Sequence, residues 1–341
     1  MEEITLIALT VFSTLVFPGL LTLWIASMLS EWWVRKLFAR TQRRMGPSYV
    51  GPLGILQPFA DFLKLLLVKT EPNYRYGSVK LARIFGCVGI GAITASLFLL
   101  PISPLRIAFN FDVILLIYFL GVWVAISELL MSTSLTNPFT IKGISRFSSI
   151  LAVAEPAFFT AIIVPVYLVS LTTKGEPAFS VSTTAEFAWS LWTNPLTAIP
   201  MTLATIAALV SIQSKLMFPP FNIPEAEQEL IAGMETEFSG PLLALFNFLH
   251  DADLYVLSLI VAVVFLGGPY PFNDNPVLGA LALIVKYLVI LTVITILKSS
   301  FGRFRVEQGV STVVRYALIP ALVALALSII IVSLTTESLV L

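Results

Sequence analysis

Val277-Leu-Gly-Ala-Leu-Ala-Leu-Ile-Val-Lys286-Tyr-Leu-Val-Ile-Leu-Thr-Val-Ile-Thr-Ile-Leu297 runs for 21 residues with a single charge. A bilayer core takes about 20 apolar residues per helix. Seven further runs of this kind lie at roughly 4–29, 81–101, 112–131, 149–171, 197–216, 241–266 and 311–334. They are too long for barrel strands, and a helix satisfies its own backbone inside lipid. The expected fold is therefore all-α: one polytopic membrane domain over residues 1–341 with about eight transmembrane helices. The segments between the runs collect the Pro, Gly, Asn and charge.

Composition agrees. The chain is 57% hydrophobic and 12% charged, far from soluble averages. Zero formal net charge gives no case for nucleic acid. A single cysteine, Cys87, excludes an intrachain disulfide, a cysteine zinc site or an iron–sulfur cluster held by this chain alone. A single histidine, His250, excludes haem held by paired histidines. The first residues, Met1-Glu-Glu-Ile, lack a basic n-region, so the first run reads as a retained span.

Eight spans place both termini on one side. Loops 30–80, 132–148, 217–240 and 298–310, with their flanks, hold 17 of the 20 basic residues. The opposite face holds Arg106 and Lys174, and Lys286 sits inside a span. The excess of positive charge marks the cytoplasmic face, so the main loops are expected in the cytoplasm and both termini outside, in the cell membrane. Loop 30–80 carries Arg35, Lys36, Arg40, Arg43 and Arg44, then Gly46-Pro47, Gly51-Pro52 and Gly54. After these bends Phe59, Phe62, Leu63, Leu66 and Leu67 share one helical face, the pattern of an interfacial amphipathic helix.

Carboxylates stand out in so apolar a chain. Glu155 lies early in the fourth span ahead of Pro156. It is either a proton relay or cation site or half of a structural ion pair, with Arg146 as a candidate partner. Glu128 ends the third span, where it could snorkel; Lys286 is a candidate partner for a buried acid. Residues 225–237 hold five glutamates: Glu225, Glu227, Glu229, Glu235 and Glu237. Pro224 suits a helix first turn, which would place Glu225 and Glu229 on one face at i,i+4, raising each other's pKa. They are proton-exchanging groups or ordinary acids at a helix start. His250, beside Asp251 and Asp253, is either a proton shuttle or a hydrogen-bonded polar residue.

Four motifs coincide in order. They are Gln42-Arg-Arg44-Met-Gly-Pro47 with Ala60-Asp61-Phe-Leu-Lys64; Arg146 nine residues before Glu155; Pro224-Glu-Ala-Glu-Gln-Glu229-Leu with Thr236-Glu237-Phe-Ser-Gly240; and Lys286 with Arg303-Phe-Arg305-Val-Glu307-Gln308. Over about residues 31–320 the chain resembles the NADH dehydrogenase subunit 1 family of respiratory complex I. That family includes the matching membrane component of energy-converting hydrogenases and sulfane reductases. The resemblance implies a core subunit joining a hydrophilic electron-transfer arm to an ion-pumping arm. Glu155, Glu225, Glu227, Glu229, Glu237 and Lys286 would form the ion-coupling path. Arg44, Asp61, Lys64, Arg146, Arg303, Arg305 and Glu307 would form or brace the docking surface. Implied partners are hydrogenase-like large and small subunits of a peripheral arm, antiporter-like membrane subunits, small membrane subunits and the lipid bilayer. Iron–sulfur clusters are expected in the partners, and no cofactor, metal or catalytic residue in this chain.

Departures from the pattern matter. Quinone-using members carry tyrosines where this chain has Met234 and Phe238; the sixth-span Glu-Tyr is His250-Asp251, and the Tyr before the fourth-span acid is Ala154. These changes disfavour a bound quinone and favour the ferredoxin-linked hydrogenase or sulfane reductase branch. The alternatives are a quinone-site subunit of an NADH- or deazaflavin-linked complex I, and a stand-alone secondary ion transporter. The transporter reading calls for paired halves, and neither the acidic loop nor the Gly-Pro loop repeats.

Overall fold

A computed structural model describes residues 2–71, 74, 77–102, 111–135, 137–169, 179–272 and 275–340, without the side chains of 2–6, 227 and 335–340. Arg106 and Lys174, which carry part of the charge-asymmetry argument, lie outside the described residues, as does the Glu227 side chain. Among the described residues eight helices are long and apolar enough to cross a membrane: Ile7–Thr41, Val79–Phe98, Asp112–Thr133, Pro138–Val169, Pro195–Lys215, Pro241–Val264, Pro276–Ser300 and Val306–Leu334. These are the eight expected runs, and the regular structure among the described residues is all helical, without strands.

Three boundaries differ for identifiable reasons. The first span consists of two helices, Glu2–Leu15 and Leu20–Thr41, broken at Phe17-Pro18-Gly19. Pro18 has no N–H to donate, and a Cβ on Gly19 would stand 1.9 Å from the Thr14 carbonyl oxygen. The second helix carries on to Thr41, so Trp32, Trp33, Arg35 and Lys36 are helical and not loop. The fourth span begins at Pro138, eleven residues early, and puts Arg146 on the same helix as Glu155. Nine residues are two and a half turns, so these side chains leave opposite faces and cannot pair.

A further helix, Val181–Thr193, precedes the fifth span. At about 1.5 Å per residue it is too short to cross a bilayer. Its start is tied to the third span: Val181 N and Ser180 Oγ donate to the buried Asp112 carboxylate at 2.7 and 3.0 Å. The amphipathic helix is present as Gln57–Leu63, continued by a wider turn over Lys64–Val68. Its apolar face divides, contrary to the single face expected. Phe59 and Phe62 pack on Trp24 at 5.1 and 6.0 Å, and Phe62 meets Phe248 at 5.8 Å. Leu63, Leu66 and Leu67 face outward, and the wide turn shifts the angular position of Leu66 and Leu67.

The sixth span is the axis of the bundle. It packs on the first, second, third, fourth, fifth and seventh spans and on Val181–Thr193. Of its most apolar stretch, 83% is buried in protein, against 22% for the seventh and eighth. Loops 42–71, 217–240 and 301–305 meet at one end of the bundle. Phe304 N donates to the Pro220 carbonyl, and the Tyr74 hydroxyl to the Glu237 carbonyl. The Gly-Pro loop is pinned there by Lys36 Nζ, which donates to the carbonyls of Pro47 (2.7 Å) and Leu53 (3.2 Å).

A buried charge cluster below a polar cleft

Glu155 is followed by Pro156 inside the fourth span, and its side chain is 15% exposed. Its partner is Lys215 Nζ at 2.8 Å, from the last residue of the fifth span. The chain reverses just beyond, at Met217 with φ +49 and Pro219-Pro220, which leaves the Lys215 ammonium turned into the bundle and 3% exposed. The Phe158 and Phe159 rings lie 5.5 and 5.9 Å from it. Glu128 of the third span and Asp253 of the sixth are each 3% exposed, and their charges also bear on Lys215. Four spans thus contribute three acids and one ammonium to a single buried cluster. Unpaired charge in such a place is costly.

Above the cluster, at the loop end, is a cleft of about 390 Å³. Glu31, Arg35, Glu225, Glu235, His250, Asp251 and Lys298 line it, with Phe38 and Phe218. Glu31 pairs with Arg35 and shares a hydrogen bond with Asp251. Lys298 Nζ sits 3.6 Å from the centre of the Phe218 ring. Burial pushes the Glu235 carboxyl up to about 7. Glu225 lines the cleft, and its charge bears both on Lys298 there and on Glu128 in the cluster.

The remaining acids of the loop sit elsewhere. Residues 227–230 form only a four-residue helix that excludes Glu225, so the expected i,i+4 pair of Glu225 and Glu229 does not exist. The reason is Gly233: its φ is +55, and its backbone lies so close that a Cβ would meet the Pro224 carbonyl at 1.8 Å. That contact folds the loop back on itself. Glu229 is instead held at the surface between Arg146 (2.7 Å) and Arg303 (3.0 Å). The Arg146 hydrogen bond, then its charge, draw the Glu229 carboxyl below the ordinary range. Glu237 accepts from Asn137 Nδ2.

Asp61 accepts from Arg35 at 2.8 Å and Gln57 at 2.9 Å. Arg44 donates to Gln42 and lies over Phe38. Lys64, Arg305 and Glu307 are exposed. The Arg305 backbone N–H donates to Gln308 Oε1 and so caps the last span. Lys286 stands apart from the acids: it donates to the Gly268 and Tyr270 carbonyls at 2.8 and 2.6 Å, at the end opposite the cleft. It is therefore not the partner of Glu155.

The sequence reading singled out Glu155, left Glu128 as an acid that could snorkel, named Asp253 only as a neighbour of His250, and missed Lys215, which at the end of an apolar run reads as one more flanking positive charge. It also set Glu235 aside, and the cleft includes it.

The family model of NADH dehydrogenase matches residues 13–329. A solved structure of the membrane-bound sulfane sulfur reductase, an archaeal respiratory membrane complex, contains a chain of the same fold. It has a TM-score of 0.76 and 23% identity, and the match covers 94% of this chain and 99% of that one. The chain belongs to the NADH dehydrogenase family, that of complex I subunit 1, and is a membrane subunit of the complex I-like kind.

Proposed function

We propose that this NADH dehydrogenase family member is the core membrane subunit of a complex I-like respiratory oxidoreductase that docks a hydrophilic iron–sulfur arm and couples its redox reaction to proton or sodium translocation. The observation that carries this reading is the line of ionisable groups from the cleft to the bilayer interior. It runs from Glu235, Asp251 and Lys298 through Glu225 to Glu128, Asp253, Lys215 and Glu155. Polar groups at membrane depth are retained where ions or protons move. The chain supplies the path and partner subunits supply the redox centres. Partners would be hydrogenase-like subunits on the loop face, which we assign to the cytoplasm, with antiporter-like and small membrane subunits alongside.

The cleft does not suit a quinone headgroup. Its walls are charged, and the two positions where quinone-using relatives keep tyrosine are packed away. Met234 is fully buried, and Phe238 packs against Phe246 with ring centres 5.1 Å apart and tilted by 43°. This supports the hydrogenase or sulfane reductase branch, to which the matched solved structure's name also points.

The test uses the assembled complex in native membrane vesicles, driven by dithionite-reduced methyl viologen. Glu155→Gln is expected to leave assembly intact and to lower ion uptake per electron by about 10²-fold, the scale of losing a proton-transfer group. Ion uptake equal to the native complex would refute the path.

A further inference from the structure

The cluster contains three carboxyl groups and one ammonium, and that imbalance is informative. Lys215 compensates one carboxylate, Glu155, at 2.8 Å. Asp253, 3% exposed, has a buried Oδ1 without a well-aligned hydrogen-bond partner, and the same holds for both Glu155 oxygens and Lys215 Nζ, whose 2.8 Å contact is an ion pair. Ser211, one turn before Lys215 on the fifth span, and Ser127, beside Glu128 on the third, likewise have buried hydroxyls without such a partner. The acids whose charges bear on Lys215 come from three different spans, the third, fourth and sixth. The ammonium is held by a single carboxylate and two aromatic faces, on a flexible four-carbon stem.

We infer that Lys215 is a tethered, exchangeable counter-cation: it takes the place a metal ion would take among Glu155, Asp253 and Glu128, and it changes carboxylate as protons arrive and leave. The step balances. A proton added to Glu155 neutralises that carboxylate and frees the ammonium. Lys215 then pairs with Asp253, which gives up a proton toward the opposite side. The net charge of the cluster is the same before and after, so no uncompensated charge is left in the bilayer. An internal ammonium also leaves no vacant cation position for sodium, and the species passed through this cluster is the proton. The inference rests on the coupling role proposed above.

Two variants keep the Glu155 pair and disturb only the exchange. Asp253→Asn removes the second carboxylate. Lys215→Arg keeps the positive charge but replaces a rotatable point charge with a planar, bidentate group that holds one carboxylate. Both are to be measured in the assembled complex in vesicles, with a pH-sensitive dye for proton uptake and radioactive sodium in parallel, beside Glu155→Gln. Both variants are expected to assemble and to lose proton uptake per electron by tenfold or more, on the scale of a lost proton-transfer group, with sodium uptake not tracking the loss. Native proton uptake in either variant, with Glu155→Gln inactive, would overturn the role of Lys215 and leave the coupling path standing. Native uptake in Glu155→Gln would remove the path itself.

Discussion

Glu155 and Glu229 are both glutamates held by basic side chains at nearly equal distances, 2.8 and 2.7 Å. They differ in what surrounds the pair. Glu155 and Lys215 are enclosed among four spans, with side chains only 15% and 3% exposed. Glu229 is 49% exposed and shares two arginines at the loop surface. Coulomb attraction falls with the local dielectric constant and with screening, so equal geometry gives unequal consequences. The buried pair sets where charge can sit inside the bilayer. The surface pair ties the acidic loop to the fourth span and, through Arg303, to the last loop.

The sharpest way to break this contrast is Lys215→Met. It leaves Glu155 buried and unpaired, at about 3–5 kcal/mol, and a large drop in melting temperature of the purified complex should show it. Lys215→Met with Glu155→Gln should recover most of that loss, because the charge left behind is gone. A melting curve of the double variant as low as that of the single would show that packing, not charge, is at stake.

Next in size is Gly233→Ala. A side chain there meets the Pro224 carbonyl in a left-handed backbone. The expected loss is about 1–3 kcal/mol, together with faster proteolysis of loop 217–240. An unchanged cleavage rate would mean that the loop does not depend on this fold-back.

Acidity separates the two regions by sign. The Glu235 carboxyl titrates at about 7 in the fold, against about 4.3 unfolded. The fold binds its proton more tightly, so its contribution is full below the unfolded value and is lost as pH rises through about 7. Between pH 5 and 8 the native complex should lose stability relative to Glu235→Gln, by about 1–3 kcal/mol at most. Parallel melting curves across that range would refute the shift. Glu229 behaves oppositely: its lowered carboxyl contributes above the ordinary value, and that is lost as pH falls through the folded value. Glu229→Gln should have the smallest effect of the series at neutral pH, one that added salt removes.

Much of this architecture was legible in the sequence because hydropathy alone sets the number of spans. The eight runs became eight helices. Val181–Thr193 escaped notice because a short helix lying against the bundle carries no span-length signal. The amphipathic segment was found, but a widened turn rotated Leu66 and Leu67 away from Phe59 and Phe62. At the site, Glu155 announced itself as a carboxylate in an apolar run. Lys215 did not, since a lysine at the end of a span usually reaches for the headgroups. What turns it inward is the reversal after it, which depends on the tertiary fold. Likewise the spacing of Glu225 and Glu229 promised a helical face, and the close approach of Gly233 to Pro224 overrode it.

The sixth span bears on how the protein is made. By mean hydropathy it is the least apolar of the eight, and it carries His250, Asp251 and Asp253. An aspartate near the middle of an inserting helix opposes entry into lipid by about 2.5–3.5 kcal/mol. Such a segment is a poor candidate for partitioning from the translocon by itself. The five spans synthesised before it supply the wall that accepts those side chains, Lys215 included. The order of synthesis therefore suits the order of enclosure: the helix least fit to meet lipid enters the bilayer after the helices that shield it from lipid.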